Sequence, residues 1–149
     1  MVVQDRQPAA LIPRRCLFSL IVPIPMVCFI GVLATDISYW ATADMMWADT
    51  SAWILAIGLL FGCVAMIAAL IDVACKRLAL YRGPLGAYVI CNCLIFCLSF
   101  FNALVHSRDA WTSVVPMGLT LSAIVVALTV LSAWIGRVLI YRLGSGIAP

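Results

Sequence analysis

Four long apolar runs, each bounded by charged or turn residues, leave this chain little freedom in how it folds. They cover about residues 16–40, 51–75, 84–105 and 114–140 of 149. A bilayer core is crossed by about 20 apolar residues in helical form, so each run has the length of one crossing. Charged residues make up 10% of the chain, against about 25% in a soluble domain, too few to solvate a globular surface of this size. The expectation is an all-α integral membrane four-helix bundle in one domain. The links are short (Ala41 to Thr50, Lys76 to Gly83, His106 to Ser113), which favours antiparallel neighbours and an up-down-up-down order.

Orientation is read from lysine and arginine. Arg6, Arg14 and Arg15 precede the first run, Lys76, Arg77 and Arg82 fill the second link, and Arg137 and Arg142 close the fourth run. Only Arg108 falls on the other side. Such a bias predicts both termini in the cytoplasm. Tyr39, Trp40, Trp47, Trp53 and Trp111 would then mark the outer interface, and Tyr81 and Tyr141 the inner one. Arg14-Arg15 before an apolar run also imitates a signal peptide, but the run exceeds the usual 7–15 residues of a signal core and is read as an uncleaved span. The net charge of +3 comes from residues gathered at segment ends. No basic strip runs along a face, which excludes nucleic acid as a partner.

Proline and small residues give the first packing clues. Pro23 and Pro25 lie in the first turns of the first run, and Pro84 and Pro116 open the last two, with Thr112 and Ser113 as caps for the fourth. Gly58 and Gly62 have GxxxG spacing, continued by Ala65 and Ala69. Gly118 and Ser122 begin a small-residue face on the fourth run, and Gly31, Thr35 and Ser38 form one on the first. In lipid, small residues let helices approach closely. The spacing therefore predicts bundle packing, with homodimerisation through Gly58 and Gly62 as the alternative.

Polar residues inside the runs are the candidates for function. Asn92, Ser99, Asn102 and His106 share one helix face and should turn towards protein rather than lipid. They serve either interhelical hydrogen bonding or the lining of a small-molecule or proton site. Asp72 has Lys76 four residues on, the spacing of a helical ion pair, with Arg77 and Arg137 on the same side. Asp36 has no basic neighbour in sequence. It is expected to approach His106 or Arg108 across helices, since a carboxylate in the membrane needs a donor or water.

Other chemistry finds no support. His106 is the only histidine, so one chain cannot hold a bis-histidine haem or a histidine-rich metal site. Of seven cysteines, Cys28, Cys63, Cys91, Cys93 and Cys97 lie in apolar runs and Cys16 and Cys75 at the cytoplasmic ends, where packing is the expected role. Cys91 and Cys93 point to roughly opposite helix faces and form no chelate. No phosphate loop, nucleophile elbow or nucleotide fingerprint occurs, and no catalytic residue is assigned.

The spaced residues are similar to a known set. Val22-Pro23-Ile24-Pro25, Gly31 to Asp36, Tyr39-Trp40, Asp44, Trp47, Ala52-Trp53, Gly58, Gly62, Leu70-Ile71-Asp72, Asn102 to Asp109, Trp134 to Gly136 and Leu139 to Arg142 resemble domain-of-unknown-function family 2231, uncharacterised bacterial membrane proteins. The resemblance implies four helices in a bacterial cytoplasmic (inner) membrane, no established activity, and a recurring pattern that includes Asp36, Asp72, Asn102, His106 and Arg108. Many relatives carry His-Pro where this chain has Phe18-Ser19, and a histidine at Leu143. If those bind haem or metal in relatives, this chain lacks that inner-side site.

The resulting expectation is a small non-enzymatic membrane protein with no resident cofactor, an accessory or packing subunit of a larger membrane assembly or a homo-oligomer. The alternative is a redox-associated module binding a quinone or haem in the outer half, with Asp36, Asn102 and His106 as polar contacts. A proton or solute pathway is a third option, weaker because neither Asp36 nor Asp72 lies at mid-membrane.

Overall fold

The computed structural model describes residues 17–75, 84–107 and 114–144, with side chains for all but residues 19, 84–85 and 139–144. Among the described residues the protein is all helix: α1 (Leu17–Ile21), α2 (Pro23–Thr42), α3 (Met45–Ala74), α4 (Pro84–Ser107), a wide turn at Val114–Gly118, and α5 (Leu119–Gly144). Four stretches are long and apolar enough to cross a membrane: Pro23–Thr42, Met45–Ala74, Gly86–Ser107 and Val114–Val138.

The first span is interrupted at its start because Pro23 and Pro25 carry no backbone N–H. The torsions stay helical through Val22 (φ −52°, ψ −35°), so hydrogen bonds are lost there without a change of backbone conformation. The largest departure from sequence expectation comes next. The link foreseen at Ala41–Thr50 is only Ala43 and Asp44, and α3 begins at Met45, not near Ser51. Two local devices make the tight turn. Ala43 takes a left-handed conformation (φ 55°) and its N–H bonds to Tyr39 O, closing α2; Asp44 Oδ1 accepts Met46 N–H at 3.0 Å, capping α3. A left-handed residue with a Cβ costs roughly 1–2 kcal/mol. Ala43→Gly is therefore expected to stabilise the protein by about 1 kcal/mol, read from its unfolding midpoint in detergent.

α4 runs to Ser107, so His106 lies on the helix and not in the following link. α5 is preceded by an irregular turn in which Val115 is extended (φ −121°, ψ 124°). The foreseen caps Thr112 and Ser113, together with Lys76 and Arg108, lie outside the described residues.

Contacts at two levels give the helix order. Near one end of the bundle, Asp36 late in α2 meets Ser51 early in α3, His106 late in α4 and Ser122 early in α5. Near the other, Phe18 of α1 meets Asp72 late in α3 and Tyr88 early in α4, and Tyr88 lies against Gly136 late in α5. Successive spans therefore run antiparallel, and the first packs against the last. Between the two levels lies an apolar layer of Phe29, Val32, Leu55, Cys91, Ile95 and Val125.

Polarity is distributed as a bilayer requires. Among the described residues ten polar or charged side chains are buried, including Asp36, Ser51, Asp72, Ser99, Asn102 and Ser132, while Leu20, Val27, Trp53, Leu60, Ile90 and Trp134 face outward. With apolar solvent outside, core leucines gain nothing from leaving lipid, and close packing plus interhelical hydrogen bonds hold the helices together. Gly58 and Gly62 serve that packing within the chain. A Cβ on Gly58 would meet Phe29 of α2 at 2.9 Å, and one on Gly62 would meet Phe96 of α4 at 3.0 Å. Both glycines are buried, so they do not offer the dimer face that their spacing also allowed.

Candidate polar centre at the Asp36 end

Asp36 is fully buried, as are Ser51 and Ser99; Asn102 and Ser122 are 1% and 2% exposed. Every span contributes to the cluster. Asp36 Oδ1 accepts Ser51 O–H at 2.5 Å and lies 3.1 Å from His106 Nε2. Asp36 Oδ2 accepts Ser122 O–H at 2.5 Å. Ser122 Oγ in turn accepts Asn102 Nδ2–H at 2.8 Å. Thr35 Oγ1 and Ser51 Oγ are 2.6 Å apart, and the Thr35 hydroxyl also reaches the carbonyls of Gly31 and Val32. His106 Nδ1 faces the backbone carbonyl of Asn102 at 3.0 Å.

Helical spacing explains the convergence. Asn102 and His106 are one turn apart on α4, so the imidazole reaches back to the carbonyl one turn earlier and its other nitrogen projects across to α2. Gly118 admits the ring, since a Cβ there would stand 2.9 Å from His106 Cε1. A carboxylate in hydrocarbon costs several kcal/mol unless paired and hydrogen-bonded. Two hydroxyls and an imidazole meet that demand for Asp36.

The other candidates lie elsewhere. Asn92 sits towards the opposite end, donating to Tyr88 O and Ser132 Oγ, both at 2.8 Å. Ser99 Oγ and Asn102 Oδ1 are buried without a described partner. Asp72 is buried, and its Oδ2 accepts Phe18 N–H at 3.0 Å. That contact was not foreseen; of the cations expected near it, Lys76 and Arg77 lie outside the described residues and Arg137 is exposed. Gly118 and Ser122, foreseen as packing residues, belong to the polar centre. Thr35 and Ser51 were not foreseen in this role. Ser51 becomes legible once the turn is placed, because Asp36 lies seven residues before Ala43 and Ser51 seven after Asp44.

No group of three or more histidine, cysteine or acidic side chains able to hold a metal occurs among the described residues. Cys91 is buried with its thiol towards Leu128 O at 3.5 Å, whereas Cys93 is exposed on the outer face. A small, mostly apolar pocket of about 50 Å³ lies between α2, α3 and α4 on the Asp72 side of the bundle, bordered by Met26, Phe29, Gly62, Met66, Asn92 and Phe96. It does not reach the Asp36 cluster.

A family model described as "Predicted membrane protein (DUF2231)" matches residues 14–149. No curated protein and no solved structure matches the chain.

Proposed function

The chain belongs to the DUF2231 family of predicted membrane proteins, and on that premise we propose that it is a small non-enzymatic subunit associating with itself or with a larger membrane assembly. Its site is the bacterial cytoplasmic membrane, with both termini in the cytoplasm. The observation that carries this reading is the closure of the polar centre. Asp36 is wholly inaccessible, and its described bonds all end on the chain's own helices. Both oxygens of the Asp36 carboxylate are used to join α2 to α3, α4 and α5. The exterior, with Trp40, Trp53, Phe100, Phe101 and Trp134 exposed, is the surface left for neighbours or lipid.

The reading as a quinone or haem module is less well supported. An axial bond to iron needs a ring nitrogen lone pair, and both nitrogens of His106 face hydrogen-bond partners. The pocket lies towards Asn92, away from His106.

Gentle solubilisation from native membranes should yield a species well above the 16.1 kDa of one chain, with a stoichiometric partner or a second copy. A monomer with a stoichiometric Soret band or extractable quinone would favour the redox reading instead. Reporter fusions at Pro149 and at the Ala43–Asp44 link should report cytoplasmic and external placement; a periplasmic Pro149 would overturn the orientation.

A further inference from the structure

We propose that the pocket between α2, α3 and α4 seats the last few carbons of one acyl chain of a bilayer lipid. This site is separate from the Asp36 centre, and it stands whether or not the chain has a protein partner.

Phe29, Ala65 and Ile95, each 4–5% exposed, form the floor of the pocket, whereas Met66, 44% exposed, stands at its rim. The pocket therefore opens on the outer surface of the bundle, where the surrounding medium is hydrocarbon. Asn92 is the one polar side chain among the described lining residues, and none of them is charged. Both amide hydrogens of Asn92 are already given, to Tyr88 O and Ser132 Oγ. At most its carbonyl oxygen is left to face an occupant. A stable buried water needs about two to four polar partners, and a phosphate or quinone head needs donors or a cation. A hydrocarbon end needs none of these.

Size and depth agree with that occupant. One water-sized group takes about 10–15 Å³, so a pocket of about 50 Å³ admits roughly four, enough for a chain end and too few for a ring system. α3 runs from Met45 to Ala74, with its midpoint between Leu59 and Leu60. At about 1.5 Å per residue, Gly62 and Met66 lie roughly 4 and 10 Å past that midpoint, towards the Asp72 end. Lipid headgroups stand about 15 Å from the middle of the hydrocarbon core, whereas the acyl chains of each leaflet end near it. Entry costs no dehydration, because the chain passes from hydrocarbon to hydrocarbon. An unfilled void forfeits the dispersion contacts of its walls, and a chain end restores them. Met26 and Met66, with flexible thioether side chains, can adjust around it.

Photolabelling in nanodiscs tests the site. The probe is a phosphatidylcholine with a diazirine at the end of one acyl chain, and adducts are mapped by mass spectrometry. The floor residues Phe29, Ala65 and Ile95 should be labelled, although lipid packed against the outer surface cannot reach them. The same lipid with its diazirine beside the ester carbonyl should leave the floor unlabelled. Ala65→Leu, which fills the floor, should abolish the floor adducts and keep those on outward residues such as Ile90 and Val130. Chain-end adducts confined to outward residues would overturn the proposal. So would floor labelling by the carbonyl-end probe, or floor adducts that persist in Ala65→Leu. The two probes on the unsubstituted protein decide the matter even if that variant fails to assemble.

Discussion

Replacing Asp36 by alanine is expected to cost about 2–5 kcal/mol, the largest loss from any single side chain outside the apolar layer. The lower figure takes three hydrogen bonds at the roughly 0.6 kcal/mol each that interhelical bonds average in membranes. The upper one is the roughly 3–5 kcal/mol that breaking a buried ion pair costs when one partner stays behind. The alanine would leave Ser51, Ser122 and His106 without their acceptor. Asp36→Asn retains one acceptor oxygen and should lose less. Unfolding by increasing SDS, followed by tryptophan fluorescence, would give both values. An alanine variant within about 0.5 kcal/mol of the parent, the scatter expected of neutral surface changes, would mean that the cluster does not hold the helices together.

The second large effect is expected at Gly58. A Cβ there would come within 2.9 Å of Phe29 Cε1 and 3.0 Å of Cys28 Cβ. The phenyl ring could swing aside, but Cys28 Cβ is fixed to the α2 backbone, so α2 and α3 would have to separate. Gly58→Val should cost about 1–3 kcal/mol or more, the range for overfilling a packed interior. Gly86→Ala is the matched control, since nothing lies within 4 Å of its added Cβ, and it should be neutral. A valine variant as stable as the alanine control would show that α2 and α3 can part without loss and that their close contact does not hold the bundle together.

Much of this architecture was legible from residues alone, for physical reasons that also mark where the reading stopped. Hydrocarbon thickness imposes a length on every span, so the four helices could be located without any packing argument. The stripe Asn92, Ser99, Asn102, His106 was readable because polar atoms in lipid must turn inward. An approach of Asp36 to His106 or Arg108 is expected because a buried carboxylate requires a donor, and His106 is the partner described. Helix ends were harder. Asp44 and Ala43 make their turn through one side-chain cap and one left-handed backbone, neither of which changes hydropathy, so α3 was expected to begin about six residues late. With the turn misplaced, Ser51 fell at a helix start instead of opposite Asp36. Ser122 looked like a small packing residue because a serine hydroxyl gives no sign of its partner until the register between α4 and α5 is known.

The two-residue link between α2 and α3 also sets how this bundle yields under load. From Thr42 to Met45 there are three Cα–Cα steps, so those helix ends can never part by more than about 11 Å. By contrast, residues 108–113 separate α4 from the turn before α5. Asp36 and Ser51 thus ride on one short-tethered arm and move as a unit. A force that spreads the Asp36 end must work against the joints to His106 and Ser122 first, and the Ser51 joint should be the last to give.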